Sequence, residues 1–556
     1  MATTIYAKDF GILPNSGNAV GNSFTKLAES FKGEEVTLVL DNCVYNLNSN
    51  DCVKKGFYIT NTAPESDVLD ITRNIGLYFE NIENLTIDGN GAVFLAHGDI
   101  TPIALYNCKN VKFKNFSVEY ANPAISEMTV EAVGRGYIDA KINNDCKYKI
   151  ENGKLFWLFD SLAKRTITMQ ICDREKGVTY RMPYNYNFFK FKPLENGNVR
   201  CCVFPLSSAR FKVGQVVQSR FLPRTEVGVF VYKCDGISFE NANFCFMQGI
   251  GITGQCSKNL SFDNISCAPS PKTNRTTAGF ADFMHFSTCG GKISITNSNF
   301  DGAHDDVINV HGGYLMISKI CNDHEVVVNF PHKDTYGFDA FDCGDEVEFV
   351  KRTTLEALGK NTVKSAELLN PRQIKLIFEL PLDNSVNVGV GVENTTATPE
   401  LYVDNCKFKN IPTRGILVTT RKKVVISNNI FDKTGMSGVL ISNDIGMWYE
   451  SGRVQDVTIC GNTFACCGHQ NHWATVLIKP ENISINKDKP VHKNIKIENN
   501  NFQLSGTTAI SAKCAKNIAI TNNIFSGDTG GKPLFAFKAS DEIVLKDNID
   551  KTNGKN

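Results

Sequence analysis

The chain has 556 residues and carries 59 Lys and Arg against 58 Asp and Glu, so its formal net charge is +1 at pH 7. This balance creates no overall field that would attract nucleic acid or an anionic membrane, and it favours a neutral ligand. The sequence contains no run of 18 apolar residues, and its start, M-A-T-T-I-Y-A, lacks the regions of a signal peptide. We therefore expect no membrane span, and either a cytoplasmic location or a removed export signal. Monomer and homodimer are both compatible with the sequence.

A short amphipathic helix is predicted near the N-terminus. Phe24, Leu27 and Phe31 recur at helical spacing, and a strand-like V-T-L-V-L segment follows them. A helix at this point would cover the exposed apolar end of a repeat structure, so we interpret it as an N-terminal cap.

Short alternating segments that end in Asn and Phe recur along most of the chain. In three neighbouring pairs of segments, equivalent residues are 23 positions apart: Ile237 and Leu260, Phe408 and Phe431, and Phe502 and Phe525. A period of about 20 to 50 residues that contains strands without a helix is typical of a solenoid. The predicted fold class is all-β: a right-handed parallel β-helix with Ile, Val and Phe inside and Asn residues stacked in the turns.

Two stretches, 125–232 and 313–400, interrupt this period. Both alternate apolar and polar residues between Gly and Asn turns, which is typical of antiparallel strands. We interpret them as antiparallel, barrel-like β insertions on the side of the solenoid. The predicted organisation is a cap with the first coils in 1–124, the first insertion in 125–232, central coils in 233–312, the second insertion in 313–400, and C-terminal coils with a polar tail in 401–556.

Nineteen cysteines are present, an odd number, and none of them forms a Cys-x-x-Cys pair. A disulfide or metal framework is therefore not indicated. Five cysteines fall three or four residues before a predicted strand, and we interpret them as a reduced ladder inside the solenoid. These five are Cys108, Cys234, Cys256, Cys289 and Cys514.

Three aspartates stand out in the motifs A-D-F-M-H-F (281–286) and D-G-A-H-D-D-V-I-N-V-H-G (301–312). Asp282 and Asp305 are 23 residues apart, so they should stack about 4.8 Å from each other on neighbouring coils. A regular strand would point Asp305 and Asp306 to opposite faces, so we expect a bend after Gly302. Carboxylates this close divide into a proton donor and proton acceptors, as glycoside hydrolysis requires. Asp282, Asp305 and Asp306 are therefore the predicted catalytic residues.

Two other interpretations of the three aspartates remain open. They could bind Ca²⁺ or another metal together with His304 or His311, although Ca²⁺ prefers oxygen ligands and the histidines argue against it. They could also lie in solvated turns without a chemical role. We expect neither a metal nor a cofactor.

A resemblance to the α-1,3-galactosidases of glycoside hydrolase family 110 is carried by five segments. They are R-T-T-A-G-F-A-D-F-M-H-F-S-T-C-G-G-K-I, D-D-V-I-N-V-H-G, Y-G-F-D-A-F-D-C-G-D-E-V-E-F (336–349), R-G-I-L-V-T-T-R-K-K-V-V-I (414–426) and N-D-I-G-M-W-Y-E-S-G (443–452). The resemblance implies a β-helix with barrel-like insertions and an inverting, cofactor-free removal of terminal α-1,3-linked galactose, as on blood group B glycans. It also implies a gut bacterial source and export to the periplasm or cell surface.

The Asp triad also resembles that of the inverting polygalacturonases of glycoside hydrolase family 28. By that likeness Asp305 would protonate the leaving oxygen, while Asp282 and Asp306 would activate water. The chain lacks the Arg-Ile-Lys motif of those enzymes, and its neutral charge gives no support for an anionic polymer. Pectin hydrolysis is therefore the alternative activity, and a glycan-binding β-helix without catalysis is the alternative class.

Six further residues are candidates for binding a neutral α-galactoside. The two histidines could bind sugar hydroxyls or orient the aspartates, and the tryptophan could offer an aromatic face to galactose next to a carboxylate. Each also has a structural interpretation: a buried histidine, a ladder Asn, an Arg paired with Asp on the next coil, or a core Trp. The candidates are His285, Asn309, His311, Arg414, Trp448 and Glu450.

Overall fold

A computed structural model describes residues 3–15, 20–31, 33–62, 71–470 and 473–553. Part of the segment in which we predict the cap, residues 16–19, lies outside these ranges. The described helices are short: α1 (Gly21–Ser30), α2 (Pro205–Ser208) and the 3-10 helices Ala7–Phe10 and Tyr186–Phe188. No helix in the described part of the chain has the length and apolar character needed to cross a membrane.

The N-terminal cap and the first coils build one end of a parallel β-helix. In helix α1, Phe24 is fully buried, and its ring contacts those of Tyr45 and Phe94 at centroid distances of 5.9 and 6.2 Å. The helix thus covers the apolar end of the solenoid, as predicted. The strands of this part are β1 (Thr3–Tyr6), β2 (Val36–Val39), β3 (Val44–Asn48), β4 (Val53–Gly56), β5 (Thr72–Glu80), β6 (Leu85–His97), β7 (Thr101–Tyr106) and β8 (Lys109–Tyr120).

The first insertion is antiparallel. It consists of a seven-stranded sheet in the order β15-β14-β18-β9-β10-β17-β16 and a three-stranded sheet β11-β12-β13. Its strands are β9 (Ile125–Gly134), β10 (Tyr137–Ile142), β11 (Lys147–Glu151), β12 (Lys154–Phe159), β13 (Leu162–Lys164), β14 (Thr168–Asp173), β15 (Val178–Arg181), β16 (Lys190–Pro193), β17 (Val199–Cys202) and β18 (Val216–Arg220).

The central coils begin earlier than predicted. Strand Val227–Tyr232 pairs in parallel with β7 and with Ile250–Gln255, so it belongs to the β-helix and not to the insertion. The predicted boundary at 232 is wrong because alternation alone does not distinguish a coil strand from an antiparallel one. The central strands are β19 (Val227–Tyr232), β20 (Asp235–Phe244), β21 (Ile250–Gln255), β22 (Lys258–Cys267), β23 (Met284–Ser287), β24 (Gly290–Thr296) and β25 (Asn299–Asp301).

The second insertion is a closed six-stranded antiparallel barrel. Its first strand starts inside the β-helix, where Ile308–His311 pairs in parallel with Ile416–Thr419, and then continues into the barrel. The barrel is therefore anchored directly beside the acidic motif. Its strands are β26 (Ile308–Ile320), β27 (Glu325–Asn329), β28 (Glu346–Val350), β29 (Ala357–Asn370), β30 (Gln373–Phe378) and β31 (Gly391–Asn394), closing in the order β26-β27-β30-β29-β28-β31.

The C-terminal coils continue the solenoid to its end. The predicted polar tail is partly wrong, because Ile549–Thr552 forms a strand that pairs with Ile524–Gly527 on the preceding coil. The strands are β32 (Glu400–Asp404), β33 (Lys407–Lys409), β34 (Ile416–Thr419), β35 (Val424–Ser427), β36 (Ile430–Asp432), β37 (Val439–Ile441), β38 (Glu450–Ser451), β39 (Val457–Cys460), β40 (Thr463–Ala465), β41 (Val476–Ile478), β42 (His492–Glu498), β43 (Asn501–Ser505), β44 (Ile510–Lys513), β45 (Ala515–Thr521), β46 (Ile524–Asp528), β47 (Phe535–Lys538), β48 (Asp541–Lys546) and β49 (Ile549–Thr552).

The repeat period is confirmed by the pairing of neighbouring coils. Ile237 lies opposite Leu260, and the two phenylalanine pairs that share the 23-residue spacing also lie opposite each other. Inside the C-terminal coils, phenylalanine rings stack, and Asn side chains, all but the last of them buried, form a ladder of hydrogen bonds 3.0 Å long. The ladder consists of Asn429, Asn462, Asn500, Asn523 and Asn548.

All nineteen cysteines are free. Four of the five predicted ladder members are buried, but Cys256 is only half-buried. The prediction for Cys256 is wrong because the neighbouring Ser257 is buried instead and donates its hydroxyl to the carbonyl of Val231 at 3.0 Å.

Candidate active site

The two acidic motifs lie on adjacent coils at one side of the β-helix. Strand β23 pairs in parallel with β26 so that Met284 lies opposite Ile308, and the backbone N–H of Phe283 donates to the carbonyl of Asp306 at 3.1 Å. The coil neighbour of Asp282 is therefore Asp306, one position later than the 23-residue spacing predicts.

A bend brings Asp305 and Asp306 to the same side. Gly302, at the start of the bend, has a φ of 77°, and a Cβ at this position would lie 2.4 Å from the carbonyl oxygen of Thr276. Only glycine fits a left-handed backbone this close to a neighbouring strand. The bend expected after Gly302 is thus present, and it lets both carboxylates reach one patch.

The three aspartates converge at a cavity of about 480 Å³. One carboxylate oxygen from each lies within 4.8 Å of the others. The volume falls in the range of about 300–1,000 Å³ that is usual for small-molecule sites. Four of the six predicted binding residues also line the cavity: Asn309, Arg414, Trp448 and Glu450.

Arginines neutralise two of the three carboxylates. The guanidinium of Arg414 donates to both oxygens of Asp306 at 2.5–3.0 Å, and the backbone N–H of Arg414 donates to the same group. Arg181, at the end of β15, pairs with Asp305 at 2.6 Å. Although burial opposes ionisation, the nearby guanidinium groups, led by Arg181, hold the pKa of Asp305 below its usual value. Asp305 is therefore an ionised carboxylate.

Asp282 has the opposite environment. Burial, together with the negative charges of Asp305 and Asp306, raises the pKa of Asp282 well above its usual value. Its Oδ2 atom lies 2.9 Å from Nδ1 of His285. The site thus holds one carboxyl group with a raised pKa beside two carboxyl groups that are paired with arginine. This distribution does not favour the proton-donor role that the polygalacturonase likeness implies for Asp305.

The two candidate histidines lie behind the carboxylates. His285 is fully buried and His311 is 3% exposed, and their Nε2 atoms are 3.0 Å apart. Burial lowers the pKa of both, to about 3 for His285. Of the two roles considered for them, orienting Asp282 fits this placement, whereas contact with sugar hydroxyls does not.

The rim of the cavity is built by a loop that carries Trp448. Asp444 accepts hydrogen bonds from the backbone N–H groups of Gly446, Met447 and Trp448 at 2.6–2.9 Å, which closes the loop tightly. The Trp448 side chain is 41% exposed, so it is not a core residue, and its ring packs on that of His332 at 4.9 Å. It is therefore available as an aromatic surface for a sugar.

Asn309 and Glu450 form a polar wall next to the aspartates. Asn309 Nδ2 donates to Glu450 at 3.4 Å, while its buried Oδ1 atom has no hydrogen-bond partner among the described residues. Burial raises the pKa of Glu450. An unpartnered amide oxygen beside a cavity is suited to accept a hydrogen bond from a sugar hydroxyl.

Three carboxylates this close could also serve a cation. Here Asp306 already binds Arg414 through both oxygens, Asp305 is paired with Arg181, and the nearby histidines hydrogen-bond to other protein groups. Ca²⁺ needs about six to eight oxygen ligands. The donor set therefore fits proton transfer better than metal binding.

Arginines of the first insertion also reach the site, and they are not among the predicted residues. Arg220 donates to Nδ1 of His304 at 3.1 Å, and Gln170 donates to the carbonyl of His304 at 2.8 Å, so the insertion holds the bend from outside. Arg224 lines the cavity, as do Asn61 and Trp473. The two arginines in S-R-F-L-P-R, where the chain returns to the β-helix, were the sequence signal for these contacts. They lie far from the aspartates in sequence, so no local pattern relates the two groups.

Two family models match the chain. A model described as "GLAA-B beta-barrel domain II" matches residues 325–389, within the barrel, and a model described as "Right handed beta helix region" matches residues 388–488. The second match supports the predicted right-handed β-helix.

Curated relatives match nearly the whole chain. A protein of Bacteroides thetaiotaomicron named alpha-1,3-galactosidase A is 37% identical over 532 residues, which cover 93% of this chain and 91% of the relative. A protein of the same name from Bacteroides fragilis is 35% identical over 98% of this chain and 92% of the relative. Among solved structures, a family 28 exopolygalacturonase of Yersinia enterocolitica matches 98% of this chain and 79% of its own at 9% identity, with a TM-score of 0.43. At that score the likeness supports no conclusion about activity.

Proposed function

The chain belongs to the family of α-1,3-galactosidases, and from this premise we propose that it hydrolyses terminal α-1,3-linked galactose from glycans. The observation that carries the proposal is the convergence of three carboxyl groups in a single cavity, two of them paired with arginine and the third, Asp282, with a raised pKa. Hydrolysis of a glycosidic bond requires a proton for the leaving oxygen and a carboxylate that activates water. The site supplies both without a cofactor.

Each carboxyl group takes a role from its surroundings. Asp282, which retains its proton, donates it to the glycosidic oxygen as the bond to galactose breaks. Asp305 and Asp306, each paired with an arginine, accept the proton of the attacking water. These roles reverse those suggested by the polygalacturonase likeness.

We propose that the cavity binds galactose through its wall. Trp448 presents an aromatic ring to the apolar face of the sugar, and Asn309 and Glu450 present polar atoms to its hydroxyls. Cavities that enclose one terminal sugar suit an exo-acting enzyme. Release of free galactose from a blood group B-type trisaccharide, measured by chromatography, tests the proposal, and absence of release from every α-1,3-galactoside would overturn it.

Inversion at the anomeric carbon is part of the proposal. Acid and base are usually about 6.5–9.5 Å apart in inverting enzymes and roughly 5–5.5 Å apart in retaining ones, so the 4.8 Å spacing does not by itself favour inversion. The support comes from the family resemblance. Proton NMR of the first-formed sugar is expected to show β-galactose, and early α-galactose would contradict inversion.

The blood group B structure is the substrate that the family resemblance favours. Comparing a B-type trisaccharide, which carries a fucose branch, with a linear α-1,3-galactoside tests this choice: faster release from the branched compound is expected. Export to the periplasm or cell surface belongs to the same proposal and is checked by immunodetection in cell fractions.

The two alternatives have less support. The galactosidase relatives do not favour pectin hydrolysis, and the balanced charge of the chain gives no support for an anionic polymer. A glycan-binding β-helix without catalysis would not require three converging carboxyl groups, because each adds a desolvation cost.

A further inference from the structure

A row of hydrogen bonds runs from Asp282 into the protein through two imidazole rings. Oδ2 of Asp282 lies 2.9 Å from Nδ1 of His285, and Nε2 of His285 lies 3.0 Å from Nε2 of His311. Nδ1 of His311 lies 2.5 Å from the carbonyl oxygen of Gly312. Both rings are buried, so protein groups determine their hydrogen-bond partners.

The carbonyl at the inner end determines the tautomer of His311. A carbonyl oxygen only accepts hydrogen bonds, so Nδ1 of His311 must carry a proton. A neutral imidazole has one donor and one acceptor nitrogen, which leaves Nε2 of His311 as the acceptor. The 3.0 Å contact with His285 then requires that Nε2 of His285 donates.

The same rule applied to His285 determines the state of Asp282. With its proton on Nε2, His285 has a bare Nδ1 atom that faces Oδ2 of Asp282. A hydrogen bond there needs a proton from the carboxyl group. We propose that His285 and His311 are positioning residues whose tautomers keep the catalytic proton on Asp282 in the resting enzyme.

A charged histidine would give a different row of hydrogen bonds, in which an imidazolium donates to an ionised Asp282. Burial of both rings opposes this, and the positive charge of Arg224 adds to the effect at His285. Asp305 and Asp306 act in the opposite sense on His285, as does Glu450 on His311 at 3.6 Å, but burial outweighs them.

Asn61 is the other neighbour of His285, with its amide 3.3 Å from Nε2. The oxygen and nitrogen of an amide exchange places on a half-turn. Turned so that its oxygen faces His285, Asn61 becomes a second acceptor for the same proton, and its NH₂ group then faces the hydroxyl of Thr335. The shorter contact between the two histidines is the stronger constraint.

This row of hydrogen bonds gives the two buried histidines a role at the site. If Asp282 loses its proton to the leaving oxygen, the bare Nδ1 atom of His285 faces a carboxylate, which is unfavourable until a proton returns. The row of hydrogen bonds therefore favours the return of a proton to Asp282 after each turnover. This consequence rests on the proposed function, whereas the tautomers do not.

The direct test is imidazole ¹⁵N NMR of the full chain labelled at histidine. The chain has nine histidines, and single substitutions identify His285 and His311 in the spectrum. Near neutral pH, His311 is expected as the Nδ1–H tautomer and His285 as the Nε2–H tautomer. An Nδ1–H tautomer or an imidazolium at His285 would overturn the inference, whether or not the protein releases galactose.

The kinetic test uses His311→Phe, which removes the acceptor for the Nε2 proton of His285. That ring can then change tautomer and donate to an ionised Asp282, so the limb of the kcat/KM profile that reports Asp282 should move to lower pH by roughly one unit. His311→Gln, whose amide oxygen can still accept, should keep the original profile. His492→Phe removes an equally buried imidazole on another coil and controls for lost packing. Equal profiles for His311→Phe and the wild type would contradict the inference.

Discussion

Asp282, Asp305 and Asp306 are the same residue type, but their neighbours give them different charges. The guanidinium groups of Arg181 and Arg414 pair with Asp305 and Asp306. Asp282 instead faces the imidazole of His285 and the carboxyl groups of the other two aspartates. This difference is the basis of the proposed division of the cluster into a proton donor and two acceptors. At this scale, function depends on which partner each carboxyl group meets and not on residue type.

Replacing each aspartate by asparagine should lower kcat by at least about 10²-fold, because the amide keeps the volume and removes the proton chemistry. The losses should be non-additive, since the three groups lie within 4.8 Å of one another and act on the same substrate. An activated aryl α-galactoside has a leaving group that needs little protonation. On this substrate, Asp282→Asn should regain more of the wild-type turnover than the other two variants. Steady-state kinetics on both substrates checks this.

The control for these variants is Asp301→Asn, in the strand that leads into the same bend. Asp301 pairs with Lys409 at 2.9 Å and lies outside the cavity lining, so near-normal turnover is expected. Recovery confined to Asp305→Asn would instead make Asp305 the donor, as the polygalacturonase likeness implies.

Removing Arg181 should shift the pH dependence of catalysis. The guanidinium lowers the pKa of Asp305, so Arg181→Ala raises it, and Asp305 takes up a proton at higher pH than in the wild type. The acidic limb of the kcat/KM profile should therefore move to higher pH, with a larger loss near pH 5 than near pH 7. Arg210→Ala, an exposed arginine on the same insertion, is the matched control, and a shift in both variants would contradict the assignment.

At the scale of elements, the site is held together by segments that do not belong to the β-helix. The carboxylate of Glu127, in β9, accepts the backbone N–H groups of Thr276 and Thr277 at 2.9 Å, in the loop before Asp282. Gln170 and Arg220 hold the bend before Asp305 by donating hydrogen bonds to the carbonyl and the ring of His304. The first insertion therefore positions both acidic loops, while the loop closed by Asp444 positions the aromatic rim.

Asp444→Ala should weaken substrate binding more than chemistry. It removes the acceptor of three backbone N–H groups, so the loop that carries Trp448 loses its fixed shape. The lost aromatic contact is worth about 0.5–1.5 kcal/mol, which predicts a rise in KM of up to about tenfold with a small change in kcat. Steady-state kinetics beside Trp448→Ala checks this, because both variants should agree. A fall in kcat at unchanged KM would contradict a binding role for the loop.

At the scale of the molecule, the β-helix provides a rigid frame and the two insertions complete it on one side. The barrel is tied to the solenoid by Arg421, which pairs with Glu348 and Glu393 in a largely buried network. A buried carboxyl group, that of Glu226, lies where the chain re-enters the solenoid, near the half-buried Asp99. Burial, together with the charge of Asp99, raises the pKa of Glu226 to about 8.

Glu226→Gln should make the protein more stable at alkaline pH. A carboxyl group whose pKa is higher in the folded state stabilises fully below its unfolded pKa of about 4.3, and this contribution is lost as pH rises towards about 8. The amide cannot ionise, so the variant avoids the loss. Relative to the wild type, its free energy of unfolding should rise by on the order of 2 kcal/mol between about pH 5 and pH 8.

Thermal or denaturant unfolding across this pH range measures the difference. Glu195→Gln, at an exposed turn of the first insertion, should behave like the wild type at every pH. A difference between Glu226→Gln and the wild type that does not change with pH would contradict the assignment.

Much of the β-helix can be predicted from the local sequence. Each coil pairs with its neighbour about 23 residues away, so the apolar and Asn positions repeat at that distance. The pairing of Ile237 with Leu260 can therefore be predicted from their spacing. Gly302 similarly marks a bend because few other residues tolerate its backbone. For the same reason the aspartates could be placed on adjacent coils without a structure.

The state of the site was decided by the tertiary structure. Arg181 and Arg220 reach the aspartates from a separate sheet, and no periodic pattern relates them to Asp305. The exact coil register, the half-buried Cys256 and the re-entry of the chain at Val227 likewise depend on contacts that local alternation does not encode. By itself, the sequence determined the repeat and the acidic motifs, because both arise from neighbouring coils. The charges of those acids depend on distant side chains, and only the folded structure brings them together.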